Sequence, residues 1–256
     1  MTYDASMRAI HQERFRVRAY ETDPQGRLEV AILCKLMQEA AVAHAAILGV
    51  SVETLIDHGV AWVLSHLVLN VQRWPGSDDE IIIKTWPEAA NRLYTERRFE
   101  ILDLAEETLA SASTLWLVLD LERRRPVRLP PVVLDALAKH EVGSTPMRPD
   151  RLDGPDPVGH KRVFTVRRSD LDVADHVNNT SYVGWAIEAV PDEVWENQEL
   201  VELQIDFSSE CHQGQTIVSI SQTIGDARGA EVRHEIARRE DGEPAARART
   251  LWRSAG

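Results

Sequence analysis

Between Arg168 and Trp185 the chain concentrates residue types that can carry out acid–base chemistry. Ten consecutive positions hold three aspartates, one histidine and two asparagines: Asp170, Asp172, Asp175, His176, Asn178 and Asn179. The residues from Ser181 to Val190 mix aromatic and small side chains in a pattern typical of a helix buried on several sides. The polar cluster would then lie at the helix N-terminus, where unpaired N–H groups and the dipole favour a developing negative charge. Such an arrangement can polarise a carbonyl group.

Composition narrows the class of protein. The chain has 256 residues, enough for two domains of about 120–130 residues, and a formal net charge of −12. The negative charge argues against nucleic acid as a partner. The two cysteines, Cys34 and Cys211, argue against a disulfide framework and for a reducing, cytoplasmic location. No apolar stretch predicts a membrane span, and the polar N-terminus does not resemble a secretory signal.

The spacing of possible ligands predicts neither a metal site nor a cofactor site. The nine histidines are scattered, and no CxxC or His/Cys pair at metal-ligand spacing occurs. One basic run, Arg123-Arg124-Arg125-Pro126-Val127-Arg128, stands out in this acidic chain. It is either a solvated loop that balances neighbouring acids or a docking patch for an acidic or phosphate-bearing partner.

A segment rich in Pro, Gly and Asp, from 141 to 160, lacks any hydrophobic period and predicts a linker between domains at 1–140 and 161–256. In the first domain a strand over Phe15–Tyr20 and a polar turn precede a long helix at about Glu29–Leu48. Strands are predicted next at 61–74, 80–86, 94–102 and 109–121. A short helix is predicted from Pro130 to about His140.

The second domain has the same predicted order of elements. A strand at 162–167, the polar turn and a helix ending near Val190 precede strands at 200–207, 215–223, 231–238 and 246–252. Shifting one half by 149 residues aligns Phe15 with Phe164 and Asp23 with Asp172. A long helix covered by an antiparallel sheet, present twice, predicts an α+β fold.

Short motifs in both halves match one family. In the second half they are Asp170-Leu171-Asp172-Val173, His176-Val177-Asn178-Asn179, Tyr182 with Gly184-Trp185, and Glu210-Cys211. In the first half they include the stretches 20–27, 62–65 and 114–120. With these motifs the chain resembles the fatty acyl-ACP thioesterases of plant plastids and their bacterial relatives. The resemblance implies two tandem hotdog domains, each a long helix wrapped by an antiparallel β-sheet.

The resemblance also implies an activity, which belongs to fatty acid biosynthesis. It is hydrolysis of the thioester that joins a fatty acyl chain to the phosphopantetheine arm of acyl carrier protein (ACP). The second domain would supply the catalytic residues, Asp172, His176 and Glu210, and the first would supply the acyl pocket. One position departs from the family pattern, because Ala174 stands where the family usually has asparagine. Either Asn178, Asn179 or a backbone N–H replaces the missing amide, or activity is reduced, or the substrate differs.

The chemistry of these side chains agrees with the implied set. A thioester carbonyl is electrophilic, so a positioned water and a base can suffice without a covalent step. Glu210, at the end of a predicted strand, is expected to be the base, because partial desolvation raises its basicity. His176 is expected to meet Glu210 across a gap for one water, with Asp172 fixing its tautomer. Cys211 is alternatively a nucleophile served by His176, or a buried packing residue.

Apolar residues of the first helix and the strand after it are candidates for the wall of an acyl tunnel, because such sites are mostly apolar. They are Leu33, Leu36, Met37, Ala40, Ala41, Ile47 and Trp62. Arg123, Arg124 and Arg125 are candidates for docking ACP. Cys34 is expected to pack inside the protein. The first half, which has Arg27 where the second has His176, is expected to have kept the fold and lost the chemistry.

Other functions stay open on the sequence alone. The chain could hydrolyse acyl-CoA, because hotdog domains host both reactions. It could also bind acyl groups without hydrolysing them, which Ala174 makes credible. A dehydratase is disfavoured by the spacing of His176 and Glu210. A homodimer is compatible with the sequence, which sets neither the oligomeric state nor the acyl length.

Overall fold

The computed structural model describes residues 10–140, 142–147, 149–156, 158–226 and 229–254, with only the backbone described at Asp226. Three positions of the predicted linker, Glu141, Arg148 and Pro157, lie outside the described residues, as do residues 1–9 of the predicted first domain. The chain divides into two compact units, one of residues 1–65 and 72–149 and the other of residues 66–71 and 150–256. The division falls inside the segment predicted as a linker, and residues 66–71 group with the second unit.

The first unit consists of an antiparallel sheet and three helices. Its elements, in chain order, are β1 (His11–Arg16), α1 (Val30–Ile47), α2 (Val52–Asp57), β2 (Val60–Val71), β3 (Glu80–Ala90), β4 (Tyr94–Leu102), β5 (Thr108–Asp120), β6 (Arg125–Val127) and α3 (Pro131–Leu137). The strand order is β1-β3-β4-β5-β2, and β6 pairs with β5. The pairs β1–β3, β3–β4 and β4–β5 are antiparallel.

Helix α1 is the core helix of this unit. Leu33, Met37 and Ala40 recur at the spacing of one helical face, and all three are buried where α1 packs against β1 and β3. The helix ends at Ile47, and Gly49 follows with φ +74°, the left-handed conformation that commonly terminates helices. In the described part of the chain α1 is the one helix long and apolar enough to cross a membrane, a property that core helices share.

A second, smaller core lies where α2 and α3 cover the sheet. Leu55 of α2, Val118 of β5 and Val133 of α3 meet there and are fully buried or nearly so. The Trp62 side chain packs against this cluster, and its indole N–H donates to Val50 O over 3.0 Å. The sequence did not predict α2, because six residues carry too little periodicity to distinguish a helical turn from a loop.

The second unit repeats the plan of a helix on a sheet. Its elements are β7 (His160–Thr165), α4 (Asn179–Glu188), α5 (Asp192–Asn197), β8 (Gln198–Phe207), β9 (Thr216–Asp226), β10 (Gly229–Arg238) and β11 (Pro244–Ser254). The strand order is β8-β11-β10-β9-β7, all antiparallel, and residues 66–70 of β2 pair with β8. Helix α4 packs against β9 and β10.

The first strand and a short helix of the second unit also differ from the sequence prediction. The first strand spans His11–Arg16 instead of Phe15–Tyr20, and a 3-10 turn occupies Ala19–Glu21. The strand begins earlier because His11, Glu13 and Phe15 are less exposed than the residues between them, a strand alternation that the mixed polarity of HQERFR conceals. The short helix α5 was also not predicted, for the same reason as α2.

Candidate active site

The loop that carries His176 is a tight turn held by backbone hydrogen bonds. The Asp172 N–H donates to His176 O over 2.8 Å, and the Asp175 N–H donates to Asp172 O over 3.1 Å. The Asp172 carboxylate accepts the Ala174 N–H at 2.8 Å. Asp175 has φ +61°, which aspartate tolerates better than most residues. The position of His176 is therefore fixed by the backbone of the turn.

This geometry changes the role expected for Asp172. The sequence predicts that its carboxylate fixes the tautomer of His176. In the structure that carboxylate caps the Ala174 N–H, and among the described residues no hydrogen bond joins it to the His176 ring. Asp172 thus positions His176 through the main chain, because a short Asp side chain readily bonds an N–H two residues on.

The turn leads directly into the N-terminus of α4. The Asn178 N–H donates to Asp170 O over 2.9 Å. The Asn178 Oδ1 accepts the Thr180 N–H at 2.9 Å and the Thr180 hydroxyl at 2.8 Å, so this side chain is the N-cap of the helix. Asn179 is the first helical residue and is half-buried. Of the two candidate amides, Asn178 is therefore occupied with capping.

A second loop, after β8, brings Glu210 to the turn. The Val177 N–H donates to Cys211 O over 3.1 Å, which ties the two loops together beside His176. The guanidinium of Arg238, on β10, donates to Ser209 Oγ at 2.7 Å and to Glu210 O at 3.1 Å. Residues far apart in the chain become neighbours through these contacts.

His176 and Glu210 are in direct contact. His176 Nε2 and Glu210 Oε2 are 3.5 Å apart, and the side chains are 27% and 36% exposed. The expected gap for one water between them is wrong, because a water bridging two polar atoms needs about 5 Å. A water that contacts both groups must therefore lie beside the pair.

One residue of the site was missed by the sequence analysis. The ring of His212 is 5.1 Å from that of His176, centroid to centroid, in an edge-to-face arrangement. A side-chain donor atom from each of His176, Glu210 and His212 lies within 4.8 Å of the others. The sequence offered one signal for His212, its position next to Cys211. Residue type alone did not distinguish it from the other histidines.

Cys211 has the properties of a packing residue. Its side chain is fully buried, and burial is the largest cause of a raised thiol pKa. A thiol that resists ionisation is a poor nucleophile. The structure therefore favours the packing alternative for Cys211, and Cys34 is likewise buried, with its pKa raised to about 12 by burial.

The first unit contains the same turn without the same side chains. There the Asp23 N–H donates to Arg27 O, the Gly26 N–H to Asp23 O and the Leu28 N–H to Pro75 O, each over 2.8 Å. These bonds match those of Asp172, Asp175 and Val177, so Arg27 corresponds to His176. By the same match Trp74 corresponds to Glu210, and Gly76 to His212. The first unit thus has neither an imidazole nor a carboxylate at these three positions.

Comparisons with known proteins identify the family. Residues 8–137 match the family model of the acyl-ACP thioesterase N-terminal domain, and residues 156–254 match that of the C-terminal domain. The chain belongs to the acyl-ACP thioesterase family. The fold prediction of two tandem hotdog domains is confirmed by similarity to solved members of this group. The turn with His176 falls within the C-terminal family domain.

Individual relatives of this family share about a quarter of the residues. A palmitoyl-acyl carrier protein thioesterase of Cuphea hookeriana chloroplasts is 29% identical over 95% of this chain. The chain spans 62% of that relative's length. A Lactobacillus plantarum structure provisionally described as an oleoyl thioesterase has a TM-score of 0.88 and 25% identity, covering 97% of this chain and 98% of its own. The 12:0-ACP thioesterase of Umbellularia californica has a TM-score of 0.83 and 24% identity, covering 96% and 94%.

The candidates for an acyl wall separate into three groups. Leu33, Met37, Ala40 and Ala41 lie on the buried side of α1, so they are available as interior wall, and Leu36 is half-buried. The choice of Ile47 as a wall residue is wrong, because its side chain is 70% exposed at the end of the helix. Trp62 packs against the cluster that α2 and α3 form on the sheet.

The basic run forms a hairpin tip on the first unit. Arg125 begins β6 opposite Asp120 of β5, and Arg124 has φ +52° in the turn. Arg123, Arg124, Arg125 and Arg128 are all exposed. The Arg123 guanidinium lies 3.8 Å from the Asp120 carboxylate, a partial and solvated pairing. The tip therefore presents a positive surface in an acidic protein of this family.

Proposed function

We propose that the chain hydrolyses the thioester of fatty acyl-ACP and releases a free fatty acid and holo-ACP. Membership of the acyl-ACP thioesterase family supports this proposal. The single observation that carries it is the contact of 3.5 Å between His176 Nε2 and Glu210 Oε2 in the C-terminal domain. A carboxylate and an imidazole in contact at a half-exposed site are suited to move a proton of a bound water.

In this mechanism Glu210 acts as the general base. A water beside the pair gives a proton to the Glu210 carboxylate while its oxygen bonds to the thioester carbonyl carbon. The C–S bond then breaks, and the proton passes from Glu210 to the leaving thiolate. His176 donates a hydrogen bond to the water or to the carbonyl oxygen, because its Nε2 lies on the side of the ring that faces Glu210.

Asn179 is the residue we propose to replace the amide missing at Ala174. Asn178 is committed to the Thr180 N–H and hydroxyl. For the Asn179 side chain the structure records no hydrogen bond to another described residue. As the first residue of α4 it also has a backbone N–H among the donors that a helix leaves unsatisfied. Either group can stabilise the carbonyl oxygen as it gains charge.

The test of the hydrolase is a thiol-release assay on palmitoyl-ACP and oleoyl-ACP with a Glu210→Gln variant. Loss of the base should lower kcat by about 10²–10⁴-fold. Glu243→Gln is the matched control, since this exposed carboxylate lies in the loop between β10 and β11 of the same unit. Equal rates for the native chain and Glu210→Gln would overturn the proposed mechanism.

The preference for ACP over coenzyme A is a separate part of the proposal. The exposed arginines of the hairpin tip support it, because long-range attraction favours an acidic carrier. A combined Arg123→Glu and Arg125→Glu change should lower kcat/KM for acyl-ACP at least about 10-fold and leave acyl-CoA hydrolysis unchanged. A combined Lys161→Glu and Arg253→Glu change on the second unit is the control. Loss on both substrates would show that the tip does not distinguish the two carriers, or that the variant is misfolded, and an unchanged kcat/KM for acyl-ACP would overturn docking at the tip.

A non-catalytic acyl-binding protein is the second candidate, favoured by Ala174. It predicts acyl species that co-purify with the chain and no release of thiol from any acyl-ACP. Native mass spectrometry and the release assay on the same preparation separate the two functions. The cytoplasmic location, the homodimer and the absence of a membrane span remain predictions from the sequence.

A further inference from the structure

His212 has no part in the proposed hydrolysis, yet it completes a set of three metal-binding side chains. His176, Glu210 and His212 each place one donor atom within 4.8 Å of the other two. Two imidazoles and one carboxylate are ligands that zinc prefers, and three protein ligands with an open fourth position are common at zinc sites. Sequence spacing does not reveal this set of ligands, because its members come from two separate loops.

The distances are close to those that zinc requires. With bonds of about 2.0–2.1 Å, neighbouring ligands of a tetrahedral ion lie about 3.3–3.4 Å apart. The separation of 3.5 Å between His176 Nε2 and Glu210 Oε2 already meets this requirement. One donor atom of each of the three residues lies within 4.8 Å of the other two, so these separations have to shorten by about 1.5 Å or less to reach tetrahedral spacing.

His212 can make this adjustment with its side chain alone. It is exposed, so its rotamers are not confined by packing. Its backbone is held in place, because the His212 N–H donates to Gln215 Oε1 over 2.8 Å. The partner ligands are anchored as well, through the bond from Val177 to Cys211 and from Arg238 to Glu210 O. A fixed backbone with one adjustable side chain lowers the conformational entropy that is lost when the three residues bind an ion.

We propose that His176, Glu210 and His212 bind one divalent transition-metal ion, zinc foremost, and that binding inhibits the enzyme reversibly. Inhibition rests on the proposed function, because the ion occupies the Glu210 oxygen that accepts the proton and the His176 nitrogen that donates the hydrogen bond. Binding itself does not depend on that function. The corresponding positions of the first unit, Arg27, Trp74 and Gly76, offer no ligand, so one ion per chain is expected.

The experiment measures zinc binding to chelator-treated protein by competition with a chromophoric chelator. The native chain should bind one equivalent, and His212→Ala should bind at least about 10-fold more weakly. His160→Ala, which removes another exposed histidine of the same unit, should bind as the native chain does. Cobalt substituted for zinc should give the intense visible bands of a four-coordinate site in the native chain and lose them in His212→Ala.

Activity provides the second measurement. Each protein's rate without zinc is its own reference, and His212→Ala should need at least about 10-fold more zinc than the native chain for half inhibition of that rate. No binding to the native chain, or equal binding by His212→Ala, would overturn the metal site. Activation by zinc would overturn the inhibition. If no form hydrolyses acyl-ACP, the proposed function fails, while the chelator and cobalt measurements still decide the metal site.

Discussion

Acidification should weaken the second unit through His234, which lies in the middle of β10. The imidazole is fully buried, and its Nε2 is 2.9 Å from Thr250 Oγ1. The Thr250 hydroxyl donates to Val232 O at 3.4 Å and accepts the Trp252 indole N–H at 2.8 Å, so Nε2 carries the proton of the histidine. Nδ1 has no hydrogen-bond partner among the described residues. A second proton would therefore be placed on an atom without an acceptor.

The size of the effect follows from the change in pKa. Burial lowers the pKa of His234 from 6.5 to about 3. Below pH 6.5 the unfolded chain binds a proton that the folded chain refuses, so the contribution to stability is present above pH 6.5 and is lost as the pH falls toward 3. Between pH 7 and pH 5 the free energy of unfolding should drop by about 2 kcal/mol from this residue.

The assay is urea unfolding at pH 7 and pH 5, comparing the native chain with His234→Gln. Glutamine keeps a donor toward Thr250 but does not titrate. The variant will be less stable at pH 7, and its stability should fall by about 2 kcal/mol less on acidification. Indole fluorescence is the signal, because Trp252 contacts the same hydroxyl and the Trp195 ring. An identical loss of stability in both proteins would refute the reasoning.

Three further results are expected. Ala174→Asn restores the family amide at an exposed turn position, so kcat/KM in the release assay should rise several-fold while stability changes by less than about 0.5 kcal/mol. Asn178→Ala removes the N-cap of α4 and should lower the free energy of unfolding by about 1 kcal/mol, whereas Asn178→Asp keeps an acceptor and should not. Arg27→Ala removes the guanidinium that lies 2.9 Å from the Asp23 carboxylate, which is 7% exposed. Denaturant unfolding should show a loss of about 3 kcal/mol in the free energy of unfolding, and adding Asp23→Asn should restore part of it.

The sequence predicted the elements whose periodicity is long and regular. Helix α1 was expected at 29–48 and spans 30–47, and β4 has the predicted bounds. Short elements such as α2 and α5 were missed, because one helical turn of mixed residues gives no periodic signal. Periodicity is a local property, so it sufficed for the order of the longer elements in both halves.

The candidate site could be predicted only in part, because its geometry depends on contacts between loops. His176 and Glu210 were both expected, through the family motifs, and they meet at 3.5 Å. The role of Asp172 differs from the expected one, because its carboxylate bonds the Ala174 N–H and not the His176 ring. Nothing in the sequence shows which of these two partners a carboxylate will choose. His212 was missed because tertiary contacts, such as the bond from Val177 to Cys211, bring its loop to the turn.

The turn occurs twice with the same main-chain bonds, which separates architecture from reactivity inside a single molecule. Its shape depends on the aspartate at the first position and on peptide groups, so the fifth position can change from arginine to histidine without rebuilding the loop. A His176→Arg graft copies an occupant that the protein already tolerates at Arg27. Such a chain would keep its substrate surfaces and lack turnover, which would make it a trap for isolating the acyl carriers that the native protein meets in the cell.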